Sequence, residues 1–180
     1  MMKKLFILAI LGVLIASSAF SGCLQAGTGQ LVLKITDDPG LNITKAVINI
    51  SQVSVHLSAG AGNESDNETN ATAGWYTVVN ESQTFDLITL QNVTDLLGSV
   101  NLSVGWYTQI RLYIESVVLT IDGVEYECKI PSNTIKLIKP FSISANATTI
   151  LTLDFDVNQS VHETGNGKYT FNPTIKIIQG

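Results

Sequence analysis

The sequence predicts an all-β protein, a two-layer antiparallel β-sandwich of Ig-like or transthyretin-like type with one short helix. Apolar and polar residues alternate in many short segments, which is the period of a strand with one buried face. These segments are bounded by Gly, Pro, Asn or Asp, which favour turns. About nine strands at this spacing are typical of two packed sheets in a single domain.

The longest strand-like run extends from Gly105 to Gly123 and is expected to form the centre of the fold. Its alternation changes parity at Glu115 and Ser116, which indicates a β-bulge that turns the side chains over. The segment from Ala46 to Leu57 changes parity in the same way. We therefore expect two neighbouring strands that bend at the same level. The inward residues of the longer run are Ile110, Leu112, Ile114, Val117, Leu119 and Ile121.

The remaining elements follow in chain order. Leu31 to Ile35 forms a first strand, which ends in a turn at Pro39 and Gly40. The polar residues from Ser58 to Gly74 are expected to form a mobile surface loop. Phe85 to Gly98 is predicted as the short helix, because its apolar residues recur at helical spacing and Gly98 would end it. Further strands are predicted at Trp75 to Val79, Val124 to Ile130, Ile135 to Lys139, Phe141 to Ala145, Ile150 to Val157 and Tyr169 to Ile178, the last interrupted at Pro173.

The N-terminal residues 1–22 have the pattern of a signal peptide. Two lysines precede the apolar run from Leu5 to Ala16, which is too short to span a bilayer. The segment ends in Phe-Ser-Gly-Cys, which resembles a lipobox, so Cys23 is the expected lipidation site. The alternative is an ordinary signal cleaved near Ala19 or Gly22. Residues 23–30 would form a short tether and residues 31–180 the sandwich, exported and lipid-anchored at the outer face of the cell membrane.

The charge and the cysteines exclude some classes of partner. The chain has a net charge of −5, and the mature part is more acidic because Lys3 and Lys4 belong to the signal. An acidic protein without a basic cluster repels nucleic acid, so no nucleic-acid role is expected. Cys128 has no partner once Cys23 carries lipid, and its phase in the strand places it inward as a buried hydrophobe.

The strongest signal in the sequence is an excess of Asn-x-Ser/Thr sequons. A random order of 13 Asn and 33 Ser or Thr among 180 residues would give about two or three. Strand alternation points several of these asparagines away from the core. Turn composition alone is the competing explanation, but it does not account for the Ser or Thr two residues on. Heavy N-glycosylation is predicted at Asn42, Asn49, Asn63, Asn67, Asn70, Asn80, Asn92, Asn101, Asn146 and Asn158.

Two acidic pairs are candidates for a metal site. Asp37 and Asp38 lie in the turn after the first strand, and Asp154 and Asp156 share one face of a later strand. If the turn and that strand meet at one end of the sandwich, these carboxylates could bind Ca²⁺ with nearby carbonyls. In the competing interpretation, the first pair bonds its own turn amides and the second pair faces solvent. Calcium is the one cofactor that the sequence suggests.

Catalytic patterns are weak in this chain. His56 and His162 have no Cys or His at metal-ligand spacing and belong to no serine-triad pattern. There is no Gly-rich phosphate loop. Paired carboxylates could suggest a glycosidase, but a small sandwich offers little of the cleft that such an enzyme needs. These features favour a protein that is not an enzyme.

Several short motifs together resemble a known family. They are Ile35 to Pro39, Gly105 to Leu112, Asp122-Gly123, Ile130 to Ser132, Leu153 to Asp156 and Pro173 to Lys176. In the order and spacing of these motifs, the chain resembles domain of unknown function 4382, a family of surface lipoprotein domains in archaea and bacteria. The turn is Asp-Asp-Pro where the family more usually has Asp-Ala-Pro, so only Asp37 carries over. The resemblance implies an all-β surface domain and supplies no activity.

The preferred interpretation is a non-enzymatic, glycosylated surface domain of archaeal origin, which the lipid on Cys23 holds at the membrane. It would serve in envelope structure, adhesion or ligand binding, with carbohydrate or other envelope proteins as partners. The alternative is a calcium-dependent carbohydrate-binding module, in which Trp75, Trp106 or Tyr107 supplies a stacking platform beside the acidic residues.

Overall fold

The computed structural model describes residues 27–37, 43–59 and 71–180. In these ranges the chain forms thirteen strands, a single 3₁₀ turn (Leu87–Leu90) and one helical turn, α1 (Val157–Ser160). The strands are β1 (Thr28–Asp37), β2 (Lys45–Leu57), β3 (Gly74–Val79), β4 (Gln83–Asp86), β5 (Asp95–Ser103), β6 (Gly105–Ile121), β7 (Val124–Lys129), β8 (Thr134–Leu137), β9 (Phe141–Ile143), β10 (Thr148–Asp156), β11 (Val161–Gly165), β12 (Lys168–Phe171) and β13 (Thr174–Gln179).

The strands form two sheets that pack on each other. The small sheet has the order β13-β10-β1-β5. The large sheet has the order β11-β12-β7-β6-β2-β3, with β4 added to β2 and with β8 and β9 added to β6. Their inner faces share one cluster of buried apolar side chains. The predicted all-β, two-layer sandwich is confirmed.

Strand direction differs from the expectation in two places. Most pairs are antiparallel, but β1 pairs with β10 in parallel and β12 pairs with β7 in parallel. The sheets are therefore mixed, and the prediction of purely antiparallel sheets is wrong for these pairs. Alternation within a strand shows which face is buried but carries no information about the direction of its neighbour.

The two long strands β2 and β6 lie side by side and are antiparallel. Ile48 faces Val117 on one side of the irregularity, and Val53 faces Leu112 on the other. Between these pairs the register skips one residue on each strand, so both strands change parity at one level. The predicted pair of strands with matching bulges is confirmed.

The predicted helix from Phe85 to Gly98 is wrong. Its first part is β4 followed by the 3₁₀ turn, which Asp86 caps by accepting the N–H of Ile88. The second part belongs to β5, where a register shift opposite Leu33 breaks the alternation. Gly98 does not end a helix; a Cβ there would lie 2.6 Å from Val79 Cγ2, so glycine permits close packing.

One other segment differs from the sequence prediction. The polar stretch after β10 forms α1 and then a hairpin of β11 and β12, whose turn at Asn166 and Gly167 has positive φ at both residues. Pro173 separates β12 from β13, as its missing N–H predicts. Most of the loop expected from Ser58 to Gly74 lies outside the described residues.

Truncation of a core isoleucine tests the packing around the bulges. Ile50→Ala should lower the free energy of unfolding by about 2–5 kcal/mol, because Ile50 is 0% exposed and faces Ile114. Ile138 is 80% exposed, so Ile138→Ala should change it by less than about 0.5 kcal/mol. Urea unfolding measures both, and equal losses would contradict this packing.

Candidate functional site

Asp37 ends β1 on the inner side of the small sheet and is 2% exposed. Its Oδ1 accepts the backbone N–H of Val157, the first residue of α1, at 3.1 Å. Burial raises the pKa of Asp37 to about 7; the N–H of Val157 opposes this shift, and the charges of Asp156 and Asp154 add to it. Asp37 thus connects the end of β1 to the segment that follows β10, a contact that the sequence did not predict.

Asp154 and Asp156 lie on the outer face of the small sheet. Asp156 caps α1: its Oδ1 accepts the Gln159 N–H at 2.9 Å and its Oδ2 accepts the Gln159 side-chain amide at 2.6 Å. Asp154 lies opposite Lys176 in the register of β10 and β13. These two carboxylates border a hollow of about 310 Å³, which is lined by Asp154, Phe155, Asp156, Gln159, Thr174 and Lys176.

The structure does not bring the calcium candidates onto one surface. Asp37 faces the core, whereas Asp154 and Asp156 alternate with the buried residues of β10 and face outward. Asp38 lies outside the described residues. Across residues 27–37, 43–59 and 71–180, no three His, Cys, Asp or Glu side chains group closely enough to hold a metal. Calcium binding by this set stays a prediction.

The three aromatic candidates occupy different environments. Tyr107 is 0% exposed, stacks on Phe141 with ring centroids 5.3 Å apart, and donates its hydroxyl to the carbonyl of Ser103. Burial raises the pKa of Tyr107 to about 12. Tyr107 is a core residue, so the idea that it supplies a stacking platform is wrong. Trp75 and Trp106 are 40% and 39% exposed and present part of their rings to solvent.

A cluster of side chains surrounds Trp75, and no sequence pattern predicted it. The guanidinium carbon of Arg111 lies 3.9 Å from the centroid of the Trp75 ring, and His56 packs against the same ring at 4.9 Å. Thr108 Oγ1 lies 3.4 Å from Nδ1 of His56. Alternation showed that these side chains point away from the core, but only the order β3-β2-β6 shows that they meet.

The remaining histidine and the second cysteine take no part in this cluster. His162 is exposed on β11. Cys128 is buried on β7, as its phase predicted, and burial raises its pKa to about 11. A thiol with so high a pKa carries little thiolate at neutral pH, so it is a packing residue.

Six of the ten sequon asparagines lie in the described residues. Asn49 is half-buried, and its Nδ2 donates to Oε2 of Glu115 at 3.0 Å, so it is the least accessible of the six. Asn92 and Asn146 have positive φ, a backbone conformation that asparagine tolerates better than most residues. Asn42, Asn63, Asn67, Asn70 and Cys23 lie outside the described residues. The five exposed sequon asparagines are Asn80, Asn92, Asn101, Asn146 and Asn158.

The fold and these sites define an all-β sandwich domain. Its buried Asp37 and the capping residue Asp156 accept backbone N–H groups of the same domain. The chain belongs to the family Domain of unknown function (DUF4382), whose sequence model matches residues 28–173. No curated protein matches the chain.

A solved structure is also similar to this chain. It is a crystal structure from Bacteroides ovatus ATCC 8483, named "putative cell adhesion protein", with 8% sequence identity and a TM-score of 0.23. The match covers 86% of this chain and 44% of that chain, so this chain spans less than half the length of that protein. At this TM-score the likeness supports no conclusion about fold or function.

Replacement of Asp37 tests the effect of its burial. The pKa is 3.8 for an ordinary Asp and about 7 in the fold, so the protonated carboxyl stabilises the folded state below about pH 4. That contribution, at most about 4 kcal/mol, is lost as the pH rises through 7. In urea unfolding, the wild type should therefore lose stability relative to Asp37→Asn between about pH 4 and pH 8.

The exposed residue Asp122 gives a matched control. Asp122→Asn makes the same chemical change at the surface and should leave the slope of stability against pH close to that of the wild type. If the difference between the wild type and Asp37→Asn is the same at every pH, Asp37 is not held in a desolvated state.

Proposed function

We propose that this protein is a non-enzymatic surface lipoprotein domain, tethered to the outer face of the membrane through Cys23 and N-glycosylated at its exposed sequons. Its role is in envelope structure, adhesion or ligand binding. The proposal combines the signal-like N-terminal sequence, the sequon excess and the placement of the described sequons.

The exposure of the sequons is the observation that carries this proposal. A glycan is bulky and needs a solvent-exposed asparagine. Five of the six described sequon asparagines are exposed: one lies in β5, one in α1 and three in connecting segments. Asn101 illustrates the point: it lies within β5 between the partly buried Val100 and the buried Leu102, yet its own side chain is exposed. The pattern fits a domain that is covered by glycans on several sides.

The start of the described chain suits a short tether. The carbonyl of Gly27 accepts the N–H of Val104 at 2.9 Å, and β1 begins at the next residue. Cys23 precedes Gly27 by four residues, which span at most about 14 Å when fully extended. A lipid on Cys23 would therefore hold this end of the sandwich close to the membrane. None of the described helical segments is long and apolar enough to cross a membrane.

The acidic side chains support a structural role over a catalytic one. Asp37 and Asp156 accept backbone N–H groups around α1, and Asp86 accepts those of Ala46 and Ile88. A carboxylate held by backbone donors is positioned for capping. These contacts favour a binding or structural protein.

Mass spectrometry of the protein from its native host tests the modifications. We expect a lipid on an N-terminal Cys23 and glycans on most exposed sequons, with Asn49 the least occupied of the six described sites because it is half-buried. An unmodified Cys23 inside a longer N-terminus, together with unmodified asparagines, would refute the proposal.

Cell fractionation tests the tether separately. Cys23→Ser should move the protein from the membrane fraction to the soluble exported fraction, because a hydroxyl cannot replace the thiol in lipidation. Cys128→Ala is the matched control, since Cys128 is the only other cysteine and is buried in β7. This control should stay with the membrane, and a Cys23→Ser variant that also stays there would contradict a lipid anchor at this residue.

A further inference from the structure

The outer face of the large sheet carries a group of aromatic, cationic and polar side chains, in which Trp75 and Thr77 are exposed and Ser54 is buried. The other members of the group are half-buried. Their strands lie next to one another in the order β3-β2-β6, and the inner side of the same strands forms the core. We call this surface the Trp75 face. Its residues are Gln52, Ser54, His56, Trp75, Thr77 and Arg111.

Strand register sets the side chains of the Trp75 face in two rows. In one row His56 lies opposite Trp75, and in the other Ser54 lies between Thr77 and Arg111. Because neighbouring strands are about 4.8 Å apart, β3 and β6 are separated by about 10 Å. A platform of this width offers room for a saccharide.

The ring of Trp75 is held in place but is still open to solvent. Arg111 stacks on it at 3.9 Å and His56 contacts it at 4.9 Å with the ring planes 57° apart, yet Trp75 is 40% exposed. A fixed, partly exposed indole can accept the C–H face of a sugar ring without losing much side-chain freedom on binding.

Arg111 has donors that the described residues leave unused. Its Nε is buried without a hydrogen-bond partner, and its guanidinium group lies over the Trp75 ring, so the terminal N–H groups are the donors available to a ligand. A guanidinium fixed by stacking offers its planar fork to a carboxylate or sulfate. The Trp75 face therefore presents an aromatic ring and an anion-binding group at adjacent positions.

Among the described residues next to Arg111 the charge is positive, although the chain is acidic overall. Lys136 lies beside Arg111 in the register of β6 and β8. Along β6, the carboxylate of Glu115 is four residues away, about 13 Å, and it accepts hydrogen bonds from Asn49 and Ser82. A local cationic surface on an acidic protein selects an anionic ligand by charge complementarity.

We infer that the Trp75 face binds an acidic saccharide, with a sugar ring stacked on Trp75 and its carboxylate or sulfate bound by Arg111. Hydroxyl groups of the sugar would bond to Gln52 and Thr77. The hydrogen bond from Gln52 Nε2 to Thr77 Oγ1 is long, at 3.4 Å, so the sugar can replace it. The site needs no calcium, since Arg111 supplies the charge. The inference rests on the proposed surface role, because an exported domain meets such saccharides.

A glycan array tests the specificity. The array should contain uronic-acid and sulfated oligosaccharides, each paired with its carboxyl-reduced or desulfated counterpart, and the full-length chain is purified in detergent. We expect at least one acidic member to bind about tenfold or more tightly than its neutral counterpart, with binding unchanged by EDTA. Equal binding within every pair, no binding at all, or loss of binding in EDTA would overturn the inference.

Variants locate the site. Trp75→Ala and Arg111→Gln should each weaken binding of the selected saccharide about tenfold or more, and Trp75→Phe should retain part of the affinity because it keeps a ring. Trp106→Ala is the matched control: Trp106 is exposed to the same extent on β6 but lies outside the Trp75 face. Circular dichroism and thermal melting identify any variant that fails to fold. Equal affinity of the wild type and a folded Trp75→Ala variant would contradict the assignment.

Fluorescence gives a direct readout. Trp75 and Trp106 are the only tryptophans of the chain, so Trp106→Phe leaves Trp75 as the sole reporter. Titration with the selected saccharide should change its emission in a saturable way. Anionic lipid vesicles form a second arm, and a Trp75 response to vesicles without one to any acidic saccharide would overturn the inference in favour of membrane contact. Both arms use protein produced in a host that adds neither the lipid nor N-glycans, so their outcome is independent of the modifications tested above.

Discussion

The pairing of β2 with β6 is the constraint on which the rest of the structure depends. These are the two longest strands, of 13 and 17 residues, and most other strands of the large sheet attach directly to one of them. Each carries a bulge, and both bulges lie between the pairs Ile48–Val117 and Val53–Leu112. A bulge in one strand alone would turn half of its apolar side chains away from the core. The matched bulges keep both strands apolar on the inner face along their whole length.

The same parity also decides what the outer face displays. Because the inward positions are fixed by the core, His56 and Arg111 must point outward, and β3 adds Trp75 beside them. Two of the acidic residues that resembled a metal site serve the backbone instead: Asp37 and Asp156 both accept backbone N–H groups in the first turn of α1. The chemistry that is free for a ligand therefore lies on the large sheet, whereas the carboxylates of the small sheet are engaged in its local structure.

Features that depend on the alternation of residues within one strand were predictable from the sequence. Features that depend on which strands lie next to each other were not. The fold class, the matched bulges and the inward Cys128 follow from period-two patterns, which are local. The segment before Gly98 has the apolar spacing of a helix because it combines a 3₁₀ turn with a bulged strand. The parallel partnership of β1 with β10, and hence the contact of Asp37 with Val157, joins residues 120 positions apart and leaves no local trace. The Trp75 cluster was missed for the same reason, since it needs the order of three strands.

Native-state hydrogen exchange measured by NMR tests most directly the claim that β2 and β6 form the stable centre. Amides that pair these two strands around Ile50 and Ile114 should exchange only through global unfolding, with protection equal to the whole free energy of unfolding. Amides of the peripheral strands β11 and β13 should exchange earlier, through local opening. If the amides between β2 and β6 exchange before those of β11 and β13, the fold is held together elsewhere and this account of it is wrong.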